Sequence, residues 1–206
     1  VMLHVFSDDK KGDSKLEDAV EELYDKFEKQ NITLFQRIVK FGEFEKVVAQ
    51  TAENVGAGVI IMPRNVEGGQ LNPAITHLLK YSEFPVWSVN DDPSQEIKEI
   101  ICPVDFSNTS QVALERAVTL AELLDTELIV TTVSERKETI SGFIQSTEEE
   151  FTKEVYEANV KKLDQFLEDI NTDGLNLTKK VTIGDVLNEV NKIIADAEKP
   201  LLVMGT

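Results

Sequence analysis

Residues 39–62 of this chain recur at positions 181–204 without a gap. Val39-Lys40-Phe41-Gly42-Glu43-Phe44 is matched by Val181-Thr182-Ile183-Gly184-Asp185-Val186, and Val59-Ile60-Ile61-Met62-Pro63-Arg64 by Leu201-Leu202-Val203-Met204-Gly205-Thr206. Gly184 stands 142 positions after Gly42, and the same spacing joins the identical pairs Val39/Val181, Val48/Val190 and Met62/Met204. A period this long is too large for a solenoid and fits a duplicated domain. With 206 residues the chain has room for two small domains.

Strand and helix patterns alternate along both copies. Val1 to Phe6 is an apolar run and reads as a strand. Leu16, Val20, Leu23 and Phe27 recur at helical steps. Thr33 to Val39 reads as a strand. Phe44, Val47, Val48, Ala52 and Val55 predict a helix closed by Gly56 and Gly58. Val59 to Met62 reads as a short strand buried on both faces. Ala74 to Tyr81 reads as a helix with Pro73 in its first turn, and Phe84 to Val89 as a strand whose proline marks an edge or a start. Asn90 to Glu96 is polar, contains Pro93 and reads as the linker. Beyond it, Glu99 to Val104 is a strand, followed by a helix capped by Ser107 or Asn108 and faced by Leu114, Ala117, Ala121 and Leu124. Leu128 to Val133 is a strand, Glu135 to Ser146 a loop, and Phe151 to Ile170 a long helix. Leu175 to Ile183, Asp185 to Ala197 and Leu201 to Met204 give a last strand, helix and strand. Such alternation implies βαβ units, parallel sheets and right-handed crossovers.

Composition narrows the function. A net charge of −17 argues against nucleic acid and anionic membrane as partners, since both call for a basic face. It leaves open a small phosphorylated ligand held by backbone N–H groups. Cys102 is the single cysteine and lies in an apolar run, so it reads as a packing thiol and forms no intramolecular disulfide. With only His4 and His77, a multi-histidine metal site or a Ser-His-Asp hydrolase has little support. The carboxylates Glu148, Glu149 and Glu150 read as a solvated helix start rather than a cation site.

In parallel α/β folds, ligands bind past the carboxyl ends of the strands. Asp105, in Pro103-Val104-Asp105-Phe106-Ser107, stands there. Its carboxylate can accept hydrogen bonds from sugar hydroxyls or an exocyclic amine, or it can cap the next helix; the two readings carry equal weight. Val133 ends the next strand and can offer backbone groups to a planar base, or simply pack. Gly205-Thr206 follows the strand Leu201 to Met204, where a glycine permits close approach of backbone to phosphate, or an ordinary turn.

Pro103-Val104-Asp105-Phe106-Ser107, with Ala113-Leu114 behind it, resembles the opening motif of universal stress protein domains. Val181-Thr182-Ile183-Gly184-Asp185 is similar to the approach to the family's third helix, and Leu201 to Thr206 to its fourth strand and first nucleotide-motif glycine. Phe84 to Val89 resembles its last strand. The resemblance covers almost the whole chain as two copies, 1–92 and 97–206. It implies an α/β fold of two tandem doubly wound parallel-sheet domains, strand order 3-2-1-4-5 in each, packed as an intramolecular pseudo-dimer that could pair again as a homodimer. It further implies an adenine nucleotide, ATP, as ligand, with Mg²⁺ only alongside the nucleotide. The cofactor-binding positions carried over are Pro103, Val104, Asp105, Val133, Met204 and Gly205; no catalytic or metal residue is implied.

Two departures follow. By this resemblance the first copy lacks its first strand and helix, and the second its last helix and strand together with the rest of the Gly-x2-Gly-x9-Gly-Ser/Thr loop. In the first copy, Pro63 stands where the first glycine belongs, and proline has no N–H to give a phosphate. Asn72-Pro73 lies near the place of the Gly-Ser step, and Gly68-Gly69 does not restore the spacing. The expectation is a cytoplasmic stress protein whose second copy binds ATP as a regulatory ligand, not an enzyme, with slow hydrolysis left open. A nucleotide-free interaction module is the alternative. An enzyme of a related α/β nucleotide fold would need a glycine-bearing loop where Asp105-Phe106-Ser107-Asn108-Thr109-Ser110 stands.

Overall fold

A computed structural model describes residues 1–29, 36–64, 72–89, 96–135 and 145–206. The chain divides into two compact units, Val1–Pro93 and Ser94–Thr206. The expected linker lies almost wholly outside the described residues, as do most of the loop after Glu135 and Gly68-Gly69.

The second unit runs β5 (Glu99–Pro103), α4 (Asn108–Leu124), β6 (Glu127–Ser134), α5 (Gln145–Glu168), β7 (Leu177–Ile183), α6 (Val186–Asp196) and β8 (Pro200–Leu202). All pairings are parallel, in the order β7-β6-β5-β8. The chain steps one way from β5 to β7 and then crosses back to β8, so strand order reverses between β5 and β8. The helices take opposite faces accordingly. Leu114, Ala117 and Ala121 of α4 and Leu163 and Leu167 of α5 pack on Ile100, Cys102, Leu128 and Val130. Ile193 of α6 packs on Ile101 and Ile129 from the other side. Alternate residues of β5 thus feed two cores, as the period of a strand requires, and each buried Ile or Leu contributes about 1.5–3 kcal/mol.

The first unit contains β1 (Met2–Phe6), α1 (Ser14–Lys29), β2 (Arg37–Phe41), α2 (Phe44–Val55), β3 (Ile60–Pro63), α3 (Pro73–Tyr81) and β4 (Val86–Val89). Its described strands form two parallel pairs, β1-β2 and β3-β4. Val48 and Ala52 of α2 join Leu3 and Val5 of β1 to Ile60, Met62, Ile75 and Leu78 in one core. The glycine at the head of each repeated helix has the same neighbours. The Gly42 N–H donates to Phe6 O and that of Gly184 to Ser134 O, each at 2.9 Å. A Cβ on Gly42 would lie 3.1 Å from Val47, and one on Gly184 3.0 Å from Glu189, the residue equivalent to Val47. Residues 39–62 and 181–204 therefore fold alike.

Several boundaries move from expectation. β2 reaches Phe41 rather than ending at Val39, because Phe41 pairs with Phe6 before Gly42 turns the chain. β3 is not buried on both faces: Ile60 and Met62 face the core, whereas Ile61 is 60% exposed. Leu23 of α1 faces out while Tyr24 is buried. β8 ends at Leu202, two residues before the expected Met204, since its ladder to β5 closes at Ile101–Leu202. Leu124 is exposed at the end of α4, where Asp125 turns left-handed, φ 51°. The long helix starts at Gln145 instead of Phe151, and Ile170 packs in the core just beyond its last turn.

Candidate functional site

The expected site residues stand at the carboxyl edge of the second sheet. Pro103 is the last residue of β5. The Val104 N–H donates to Thr131 O of β6 at 2.8 Å, which ties the strand end into the sheet and leaves Asp105 as the first exposed residue beyond it. Asp105 does not cap α4. Ser107 does, its hydroxyl accepting from the Ser110 N–H at 3.2 Å. Asp105 instead accepts on one oxygen, Oδ1, from the Ser107 N–H at 3.0 Å and from the Ser107 hydroxyl. These donors, the Ser107 hydroxyl foremost, hold its carboxyl below the ordinary aspartate value of 3.8. The result is an ionised, oriented acceptor at the edge of the sheet.

Gly205 reaches the same corner from the other side of the switch point. The Val203 N–H donates to Ile101 O at 2.9 Å, so the chain leaves β8 alongside β5 and then meets the start of α4. A Cβ on Gly205 would lie 2.5 Å from Thr109 O and 2.9 Å from Ser110 N. Only a glycine permits that approach. Met204, between them, is exposed. Val133 belongs to the same edge but one strand away: it is half-buried in β6, in register with Thr182 of β7, on the side of β6 remote from β8. The structure thus brings Asp105, through Ser107, and Gly205 to the first turn of α4; Pro103 and Val104 lead out of β5 towards it, and Val133 lies on the adjoining strand.

The equivalent corner of the first unit is built differently. Pro63, 142 positions before Gly205, ends β3 in register with Val89, and the following Arg64 N–H donates back to Val89 O at 2.6 Å. Asn72 caps α3, accepting from the Ala74 N–H at 3.0 Å. Pro63 brings no N–H to this edge.

Two features escape a reading of strand ends. Phe106 has φ 65°, and its ring meets Phe166 and Lys162 of α5. No pattern in the sequence signals a left-handed phenylalanine. Among the described residues no three His, Cys, Asp or Glu side chains group as metal ligands, and no helix is long and apolar enough to cross a membrane.

A parallel α/β unit whose strand order reverses between β5 and β8, with helices on both faces, defines a doubly wound fold. The model of the universal stress protein family matches residues 96–206, more than half of the chain, and the chain belongs to that family. No curated protein matches the sequence. Among solved structures, a universal stress protein from Archaeoglobus fulgidus DSM 4304 is similar at TM-score 0.62 and 17% identity, over 97% of this chain and 74% of its own. A putative universal stress protein from Pseudomonas aeruginosa UCBPP-PA14 is similar at TM-score 0.60 and 14% identity, over 97% and 70%. The fold is common to all three.

Proposed function

We propose that this protein is a cytoplasmic stress-response protein that binds ATP through its second unit, as a regulatory ligand rather than a substrate for turnover. One observation carries the reading: Gly205 closes on Thr109 and Ser110 in the first turn of α4, the turn whose cap, Ser107, also holds the Asp105 carboxylate, at the point where strand order reverses. Asp105 would accept from the ribose hydroxyls, Val133 would offer backbone to the base, and Pro103, Val104, Met204 and Gly205 would line the nucleoside and first phosphate. Mg²⁺ would enter only with the nucleotide. The first unit, with Pro63 in place of the glycine, would not bind ATP itself. A nucleotide-free interaction module is favoured by a single feature, the pair of Ser107 donors that already engage Asp105 Oδ1. Calorimetric titration of the protein with ATP separates the two. Binding of one ATP per chain, lost in Asp105→Ala, supports the nucleotide reading, and no heat with either protein supports the module.

A further inference from the structure

We propose that Phe106 is a positioning residue: its ring anchors the turn that aims the Asp105 carboxylate along the edge of the sheet. The functional meaning of this anchor rests on the nucleotide-binding reading; the anchor itself does not.

Phe106 stands between Asp105 and Ser107, whose side chains make the corner. Its backbone is left-handed, φ 65°, a conformation that glycine adopts freely and a bulky residue adopts against steric resistance. Such a residue persists only where its surroundings over-determine it, and here they do. The ring meets Phe166 edge to face, with centroids 5.5 Å apart and planes at 82°, the geometry aromatic pairs prefer. The Lys162 ammonium lies 4.2 Å from the ring centroid, within cation–π range. Lys162 and Phe166 are four residues apart on α5, so one helix face supplies both contacts. Leu163 and Leu167, their neighbours on that helix, are buried in the core of the unit against which Phe106 itself packs, so α5 is a fixed platform.

The chain of cause then runs outward. The ring is fixed from the core side, the left-handed backbone at residue 106 follows, and the turn brings the Ser107 N–H and hydroxyl onto Asp105 Oδ1. A glycine at 106 would take the same backbone without strain but would not hold it. Fixing an acceptor before the ligand arrives lowers the ordering cost of binding. Phe106 therefore acts through Asp105 and need not touch the ligand.

The test follows the Asp105 carboxyl by ¹³C NMR during a pH titration, a readout that needs no ligand. In the wild-type protein the midpoint lies below that of an ordinary aspartate. In Phe106→Ala it moves up towards the ordinary value and the Ser107 amide signal shifts, whereas Phe106→Tyr, which keeps the ring, retains the wild-type midpoint. ATP titrations on the same samples should show affinity about tenfold weaker in Phe106→Ala and restored in Phe106→Tyr. Should Phe106→Ala fail to fold, Phe106→Leu and Phe166→Leu carry the same test, each expected to raise the midpoint. An Asp105 midpoint unchanged in the folded variants overturns the anchor. A wild-type protein that binds no ATP, with the midpoint moving as expected, overturns the nucleotide reading and leaves the anchor standing.

Discussion

Replacing Gly205 with alanine adds one methyl group where the structure has no room for it. That Cβ would lie 2.5 Å from Thr109 O, 2.6 Å from Thr109 C and 2.9 Å from Ser110 N. All three are backbone atoms of the first turn of α4, so no side chain can rotate away. Ordinary contact needs about 3.4 Å, and the segment and the helix start must separate by roughly 1 Å. The helix start resists, because Ser107 caps it and Ser110 is buried there. Overpacking of this kind costs about 1–3 kcal/mol, or about 2–4 °C in melting temperature for each kcal/mol in a chain of this length. Gly58→Ala is the control: nothing lies within 4 Å of its Cβ and its φ is not positive. Thermal denaturation, with the Ser110 amide followed by NMR, reads both effects. Gly205→Ala should lower the melting temperature and shift the Ser110 amide, and Gly58→Ala should do neither. Equal melting temperatures and unmoved Ser110 signals in both variants would refute the close approach.

Three further outcomes follow from the same geometry. Leu114→Ala, at a fully buried position facing β5 and β6, should cost about 2–5 kcal/mol in denaturant unfolding; a loss under about 1 kcal/mol would mean that α4 is not seated on the sheet. Burial pushes the Cys102 thiol up to about 12, so a disulfide reagent at mildly alkaline pH should label it only as fast as the unit opens, and immediate stoichiometric labelling would contradict its burial. The Asp105 carboxyl is lowered in the folded state, so its small contribution to stability is present above its unfolded value, near 3.8, and lost as pH falls through the folded value. In acid denaturation Asp105→Asn should lose stability less steeply than wild type below that pH; identical slopes would show that Asp105 titrates as it does unfolded.

Local backbone signals were the most legible: Gly56 closes α2 at φ 61° and Pro73 stands in the first turn of α3, both as expected. Strand ends were less legible, because a ladder stops where its partner stops, which no single segment records. β2 runs on to Phe41 for the sake of Phe6, and β8 stops at Leu202 where β5 no longer pairs. Burial was misread for the same reason: Val59 to Met62 is apolar throughout, but only alternate residues meet α2 and α3. At the site, Asp105 and Gly205 could be picked out because strand-end carboxylates and glycines have recognisable uses. The capping role went to Ser107, and the left-handed Phe106 was invisible, since its conformation depends on Lys162 and Phe166, 56 and 60 positions further along the chain.

We propose that the second unit, and not its repeat, receives the nucleotide. Amide chemical-shift mapping during titration with ATP and Mg²⁺ tests it most directly, because Gly205 and the residue after Pro63 report from equivalent corners of one chain. The shifts should gather at Val104 to Ser107, Val133, Ser134 and Met204 to Thr206, and saturate at one ATP per chain, while Met62 and Arg64 stay unmoved. Saturating shifts at Met62 and Arg64, or none at Asp105 and Gly205, would rule out a nucleotide held by the second unit alone.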